Sequence, residues 1–208
     1  MFKKFILVLL SCAALFAHAE KFVAGEDYIE LPTTTVTPSS NNKTTVVEFF
    51  SFGCPACFNL EKILDGWVQT HKNTVLFSRI PVVFHSEWEV YAKAYYTADA
   101  LALLPAASDK LFEAVQVTHT PLQNNNEMVN FFIKEFKTNP DMTKSAFEQS
   151  PSIDLKVKDG MVKAAQLEIN RIPAFIVNDR YKTDLGMAKN PKRLIEILDD
   201  LVKKSTHT

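Results

Sequence analysis

Nine residues from Thr44 to Phe52 (TTVVEFFSF) form a continuous β-branched and aromatic run with almost no polar alternation. That pattern predicts a strand covered on both faces, and so a sheet packed between layers. The run ends at Gly53, and Cys54-Pro55-Ala56-Cys57 follows at once. With Cys54 at the N-cap, Pro55 takes the first helical position, where its missing N–H costs nothing. Leu60, Ile63, Leu64 and Trp67 then recur at helical spacing. A second β run, Asn73 to Val83 (NTVLFSRIPVV), completes a β-α-β unit with the cysteine pair at its first join.

From His85 to about Leu167 the apolar period becomes helical. One helix is marked by Trp88, Tyr91, Ala92, Tyr95, Ala98 and Ala102, another by Leu111, Phe112 and Val115, and a third by Val129, Phe132, Ile133 and Phe136 after the Asn124-Asn125-Asn126 turn. A fourth runs from about Ser152 to Leu167. The β signal returns at Ala174 to Val177; Asn178-Asp179-Arg180 turns the chain, and Tyr181 to Leu185 pairs back. Asn190-Pro191 then opens a last helix with Leu194, Ile197, Leu198, Leu201 and Val202 on its apolar face. The fold expected is an α/β domain, residues 20–84 and 168–208, interrupted by a helical insertion at 85–167. Thr33 to Thr45 reads as a polar connector.

The first 19 residues read as an export signal: Lys3 and Lys4, an apolar stretch from Phe5 to Phe16, and the small-x-small site Ala17-His18-Ala19. The stretch is shorter than the roughly 20 residues a bilayer span needs. Cys12, after Leu9-Leu10-Ser11, loosely resembles a lipoprotein acylation site, but the Ala17-His18-Ala19 cleavage reading is the simpler one. Removal of Lys3 and Lys4 leaves 21 basic against 24 acidic residues, a net charge near −3. Basic residues are interleaved with acids, which argues against a nucleic-acid surface.

Cys54 and Cys57 are then the only cysteines of the processed chain. Three positions apart, they close almost no loop, so a structural disulfide scaffold is excluded. A zinc site needs about four ligands, and the histidines stand at no recognisable spacing. A redox-active dithiol is the reading that fits an exported chain. At a helix N-terminus the unpaired N–H groups and the dipole favour thiolate at Cys54, the nucleophile. Cys57, about one turn further in, is the resolving thiol.

Glu48 is the sole charge in the run Val46 to Phe52. Burial there would raise its pKa and let it exchange a proton with the cysteine pair, Arg79 in the neighbouring strand offsetting its charge; a solvent-facing place on an edge strand is the plain alternative for each. Arg171-Ile172-Pro173-Ala174-Phe175 places a proline immediately before the returning strand, where its lack of an N–H is tolerated and where a cis bond is possible. A cis bond there would free the Ile172 backbone to pair with a substrate strand.

With VVEFFSFGCPAC at 46–57, LFEAVQ at 111–116 and RIPAFIVNDRY at 171–181 in this order, the chain resembles the DsbA family of periplasmic thiol:disulfide oxidases. The resemblance covers essentially the whole processed chain. It implies a thioredoxin fold with an inserted all-helical domain. It makes Cys54 and Cys57 the catalytic pair, Glu48 the buried acid and Pro173 the cis proline, with Pro55, Ala56 and Ile172 beside the substrate. It also implies unfolded exported proteins as substrates, re-oxidation by a DsbB-like inner-membrane quinone reductase, and no organic cofactor or metal. Ala56 departs from the histidine of the best-known members, which removes a side chain that stabilises the Cys54 thiolate and predicts a weaker oxidant. Two rival readings are a periplasmic reductase or isomerase, and a non-enzymatic module that clamps peptides beside Pro173.

Overall fold

The computed structural model describes residues 21–32 and 43–206. The export-signal reading of residues 1–19, Cys12 with it, and most of the Thr33–Thr45 connector lie outside the described residues. The strands are β1 (Ile29–Glu30), β2 (Thr44–Phe50), β3 (Val75–Pro81), β4 (Ala174–Val177) and β5 (Tyr181–Asp184). They form one mixed sheet in the order β1-β5-β4-β2-β3. β2 lies inside the sheet, between β4 and β3, and is largely apolar on both faces, as its composition requires. It runs parallel to β3, which sets Glu48 opposite Arg79, and antiparallel to β4. β4 and β5 form a hairpin whose turn residues Asn178 and Asp179 both adopt positive φ, a conformation these short polar side chains tolerate.

Alternation along the strands divides the core. On one face Val46, Phe175 and Val177 meet Leu60, Leu64 and Trp67 of α1 (Pro55–His71), along with Leu194, Ile197, Leu198 and Leu201 of the C-terminal helix 191–206. On the other, Phe49, Ala174 and Ile176 meet Ala164 of the helix 151–166. Gly160 allows that helix to approach the sheet, because a Cβ there would stand 2.9 Å from the Ile80 side chain.

Between β3 and β4 lie a short 3-10 turn (Ser86–Trp88) and five helices: α2 (Glu89–Ala100), α3 (Ala106–Phe112), α4 (Asn125–Phe136), α5 (Pro140–Glu148) and α6 (Pro151–Gln166). A π-helical segment, Glu113–Val117, continues α3. Asn124 and Asn139 cap α4 and α5 by accepting from the backbone of Glu127 and Met142. Their core gathers Phe50 and Phe52 from the β2 end with Phe112, Phe132 and Phe147. After β5 come α7 (Leu185–Ala188) and α8 (Pro191–Thr206).

Three elements were not legible in the sequence. α5 buries only Thr143 and Phe147, too sparse a stripe to register as a period. β1 is a two-residue exposed edge. α7 begins where the expected hairpin strand was to end: Asp184 caps the helix by accepting from Met187 N–H, so Leu185 is helical. The two long β runs are also shorter than expected, because Ser51 and Phe52 turn toward the cysteines and Val82 leaves the sheet after one bond to Phe50.

Candidate active site

The loop from β2 to α1 is held by its own backbone and by one distant side chain. Cys54 N–H donates to Ser51 C=O at 3.0 Å, and Gly53 N–H to Ser51 Oγ at 3.1 Å. Gln116, from the π-helical segment, donates to Phe52 C=O at 2.6 Å. This bond ties the helical block to the residue two before Cys54, and π-helical segments often sit at functional sites.

Cys54 is the N-cap of α1: its Sγ accepts from Cys57 N–H at 3.2 Å, and Pro55 occupies the first turn. Cys54 is 5% exposed and Cys57 fully buried. The Cys57 thiol donates to the Cys54 sulfur, and the backbone N–H groups of Cys57 and Ala56 add to it, so the Cys54 thiol is held below its ordinary value despite burial. Burial first, and the adjacent Cys54 second, push Cys57 well above its ordinary value. The two sulfurs therefore differ in the sense a nucleophile and a resolving thiol require. Opposite them, the Ile172–Pro173 bond is cis, Pro173 is buried, and Ile172 C=O lies 3.8 Å from Cys54 Sγ. Pro55 is exposed and Ala56 half-buried beside the same sulfur.

Glu48 is 1% exposed and accepts from Arg79 Nε at 2.7 Å. The rest of the guanidinium belongs to α1: Nη1 and Nη2 donate to both oxygens of Glu61 at 2.8 and 3.0 Å, and Asp65 stands 3.7 Å away. The fork geometry of arginine is what allows a bidentate bond and a third one together. Arg79 is further flanked by the faces of Phe50 and Phe77. One guanidinium does not neutralise three carboxylates. Burial accordingly pushes Glu61 up to about 7, and raises Glu48 in the same direction against the opposing pull of Arg79.

Glu61 was missed in the sequence, where Ile63 was assigned to the apolar face of α1. Ile63 is 40% exposed, and the buried stripe runs Cys57, Leu60, Glu61, Leu64, Trp67. The signal was the spacing from Cys57, since a residue four positions on shares its face. Oxygens of Glu61, Asp65 and Asp109 approach within 4.8 Å of one another. With both Glu61 oxygens committed to Arg79, a cation there would compete with a guanidinium already in place.

A cysteine capping a helix, a buried partner one turn on, a buried acid beneath and a cis proline opposite define a thiol:disulfide oxidoreductase of thioredoxin fold. The thioredoxin family model matches residues 30–200. Thiol:disulfide interchange protein DsbA of Pseudomonas syringae pv. tomato is 30% identical over 199 residues, 94% of this chain and 92% of the relative. The protein of that name from Pseudomonas aeruginosa is 28% identical over 206 residues, 96% and 94% of the two chains. Crystal structures of Pseudomonas aeruginosa DsbA and of oxidoreductase DsbA from Xylella fastidiosa superpose with TM-scores of 0.81 and 0.78 at 26% identity, covering 90% and 89% of this chain and 96% and 98% of theirs. The chain belongs to the DsbA family. Among the described residues no helix is long and apolar enough to cross a membrane.

Proposed function

We propose that this chain donates the Cys54–Cys57 disulfide to proteins newly exported into the periplasm. The observation that carries the reading is the geometry of the pair: Cys54 caps α1, its Sγ accepting from Cys57 N–H at 3.2 Å, while Cys57 is fully buried one turn on, an arrangement that lowers Cys54 and raises Cys57. Whatever stabilises the Cys54 thiolate stabilises the reduced form, and so makes the disulfide the stronger oxidant. A substrate thiolate attacks Cys54 Sγ; the Cys54–Cys57 bond breaks, and its electron pair leaves on Cys57. Cys57 takes up a proton, for which Glu48 is the buried acid whose charge acts on it. A second substrate thiolate then attacks the substrate sulfur of the mixed disulfide and releases Cys54 as thiolate. The substrate has lost two electrons and the enzyme pair has gained them.

Pro55, Ala56, Ile172 and Pro173 form the contact zone in this reading, with the Ile172 backbone pairing to an extended substrate. Re-oxidation falls to a DsbB-like quinone reductase of the inner membrane. Residues 20–84 and 168–208 act as the thioredoxin-like domain, and 85–167 as its helical insertion. Ala56 contributes no charge toward Cys54, which sets this pair below histidine-bearing members in oxidising strength.

The test is an equilibrium series of residues 20–208 in reduced and oxidised glutathione, reading the fraction with the disulfide. A pair that stays largely reduced where ordinary protein thiols oxidise supports the donor reading. A disulfide that persists in strongly reducing buffer sinks it, and a reductase or isomerase takes its place.

A further inference from the structure

The helix α6 carries an outer stripe that the rest of the fold leaves uncovered and that matches a copy of itself. Ile153, Val157, Gly160 and Ala164 turn inward, onto Ala92 and Tyr96 of α2 and onto the sheet. The charges on its sides are engaged with α2: Asp154 pairs with Lys93 at 3.0 Å and Lys156 with Asp99 at 2.9 Å. Diametrically opposite the inward face stand Leu155, Lys158, Asp159 and Val162, all exposed. Leu155 is 56% exposed and Val162 47%. Lys158 and Asp159 make no ion pair among the described residues, although Asp154 and Lys163 lie four positions from them, a spacing at which such pairs form.

Single exposed aliphatic side chains are ordinary and need no partner. What distinguishes this stripe is its order. Leu155 and Val162 are seven positions apart, so they fall on one line along the helix, about 10.5 Å from each other. Between them Lys158 and Asp159 sit about 50° to either side of that line. When two such helices lie parallel across a two-fold axis, Leu155 meets Leu155 and Val162 meets Val162 of the copy, and the left flank of one faces the right flank of the other. Lys158 then faces Asp159 of the copy, and Asp159 faces its Lys158. In an antiparallel pair like flanks meet, lysine against lysine, so the charges also select the orientation. We propose that the outer stripe of α6 is a self-recognition surface, and that its partner is α6 of a second copy of this chain, packed parallel across a two-fold axis. The contact is one ridge on another, short of the roughly 1,200 Å² of a standard interface, so the dimer is weak and forms as concentration rises. α6 packs on the sheet face opposite α1, the helix that opens at Cys54, so the pairing does not draw on the cysteine pair.

The experiment is sedimentation velocity of residues 20–208 in the oxidised form, at loadings from about 10 μM to about 1 mM, the range that reveals a weak interface. The weight-average mass is expected to climb from that of one chain toward twice that value. Leu155→Lys sets two ammonium groups against each other on the axis and should keep the protein monomeric throughout. Lys158→Asp turns both charge pairs into repulsions and should weaken the dimer about tenfold, as should Asp159→Lys. The two single variants mixed together should associate, because an acidic stripe then faces a basic one. Lys158→Asp combined with Asp159→Lys should recover the wild-type dimer. All three positions are exposed, so each variant should keep the wild-type far-UV circular dichroism and glutathione equilibrium. A single-chain mass at every loading overturns the proposal and leaves the stripe to solvent or to a different protein. So does self-association that Leu155→Lys and the charge reversals leave unchanged, which would place the contact on another face. Charge reversals that weaken the dimer without recovery in the mixture or the double variant overturn the parallel pairing.

Discussion

Glu61 makes the stability of the reduced protein depend on pH in a direction opposite to that of an ordinary salt-bridged carboxylate. Its carboxyl is 8% exposed at the residue level and shares Arg79 with Glu48 and Asp65. Burial raises it from 4.5 to about 7. At about 1.4 kcal/mol per pH unit, ionising it in the folded protein costs about 3 kcal/mol relative to ionising it in the unfolded chain. Because the folded carboxyl holds its proton more tightly, this stability is complete below about pH 4.5 and is lost as pH rises through about 7. Urea unfolding of the dithiol form should therefore show stability falling between pH 5 and pH 8. Glu61→Gln keeps an acceptor for Arg79 and removes the titration, so its curve should be flatter by about 3 kcal/mol over that range. A residual slope stays with Glu48, raised by the same burial. A variant whose pH dependence matches the wild type would refute the assignment of the extra proton to Glu61.

The remaining predictions concern the dithiol and its surroundings. Iodoacetamide at pH 7 should label Cys54 and spare Cys57, as read by peptide mass mapping; equal labelling would contradict the opposite shifts of the two thiols. Gly53→Ala should cost about 1–3 kcal/mol in urea unfolding and displace Trp88, visible as a change in its fluorescence, because the added methyl has no room against the indole. Ala56→His should shift the glutathione equilibrium toward the dithiol; an imidazolium that lowers Cys54 by about one pH unit favours the reduced form about tenfold. No shift, or one toward the disulfide, would show that position 56 does not act on the Cys54 charge.

What the sequence made legible was whatever is written locally. Ala174–Val177 is a strand at the residues its composition marked, and Cys54-Pro55 starts a helix because one side chain can cap and the other needs no N–H. Glu48 facing Arg79 followed from two apolar runs lying side by side. Features resting on contacts between distant segments left no local trace. Glu61 reads as one of several helix-surface carboxylates until Arg79 is seen beneath it. Gln116 holding Phe52, and Trp88 filling the space at Gly53, join segments that only the tertiary fold brings together. α5, with two buried residues, shows how little periodicity suffices once neighbouring helices supply the packing.

The helix α1 belongs to two cores at once. Cys57 lies in the aromatic cluster of the helical block, whereas Leu60, three residues on, lies in the cluster beneath the sheet. Three residues of helix rise about 4.5 Å. Within that one turn the helix passes from the packing of one body to that of the other. A side chain replaced in the first turn of α1 is therefore felt in the helical block, and one replaced a turn later beneath the sheet.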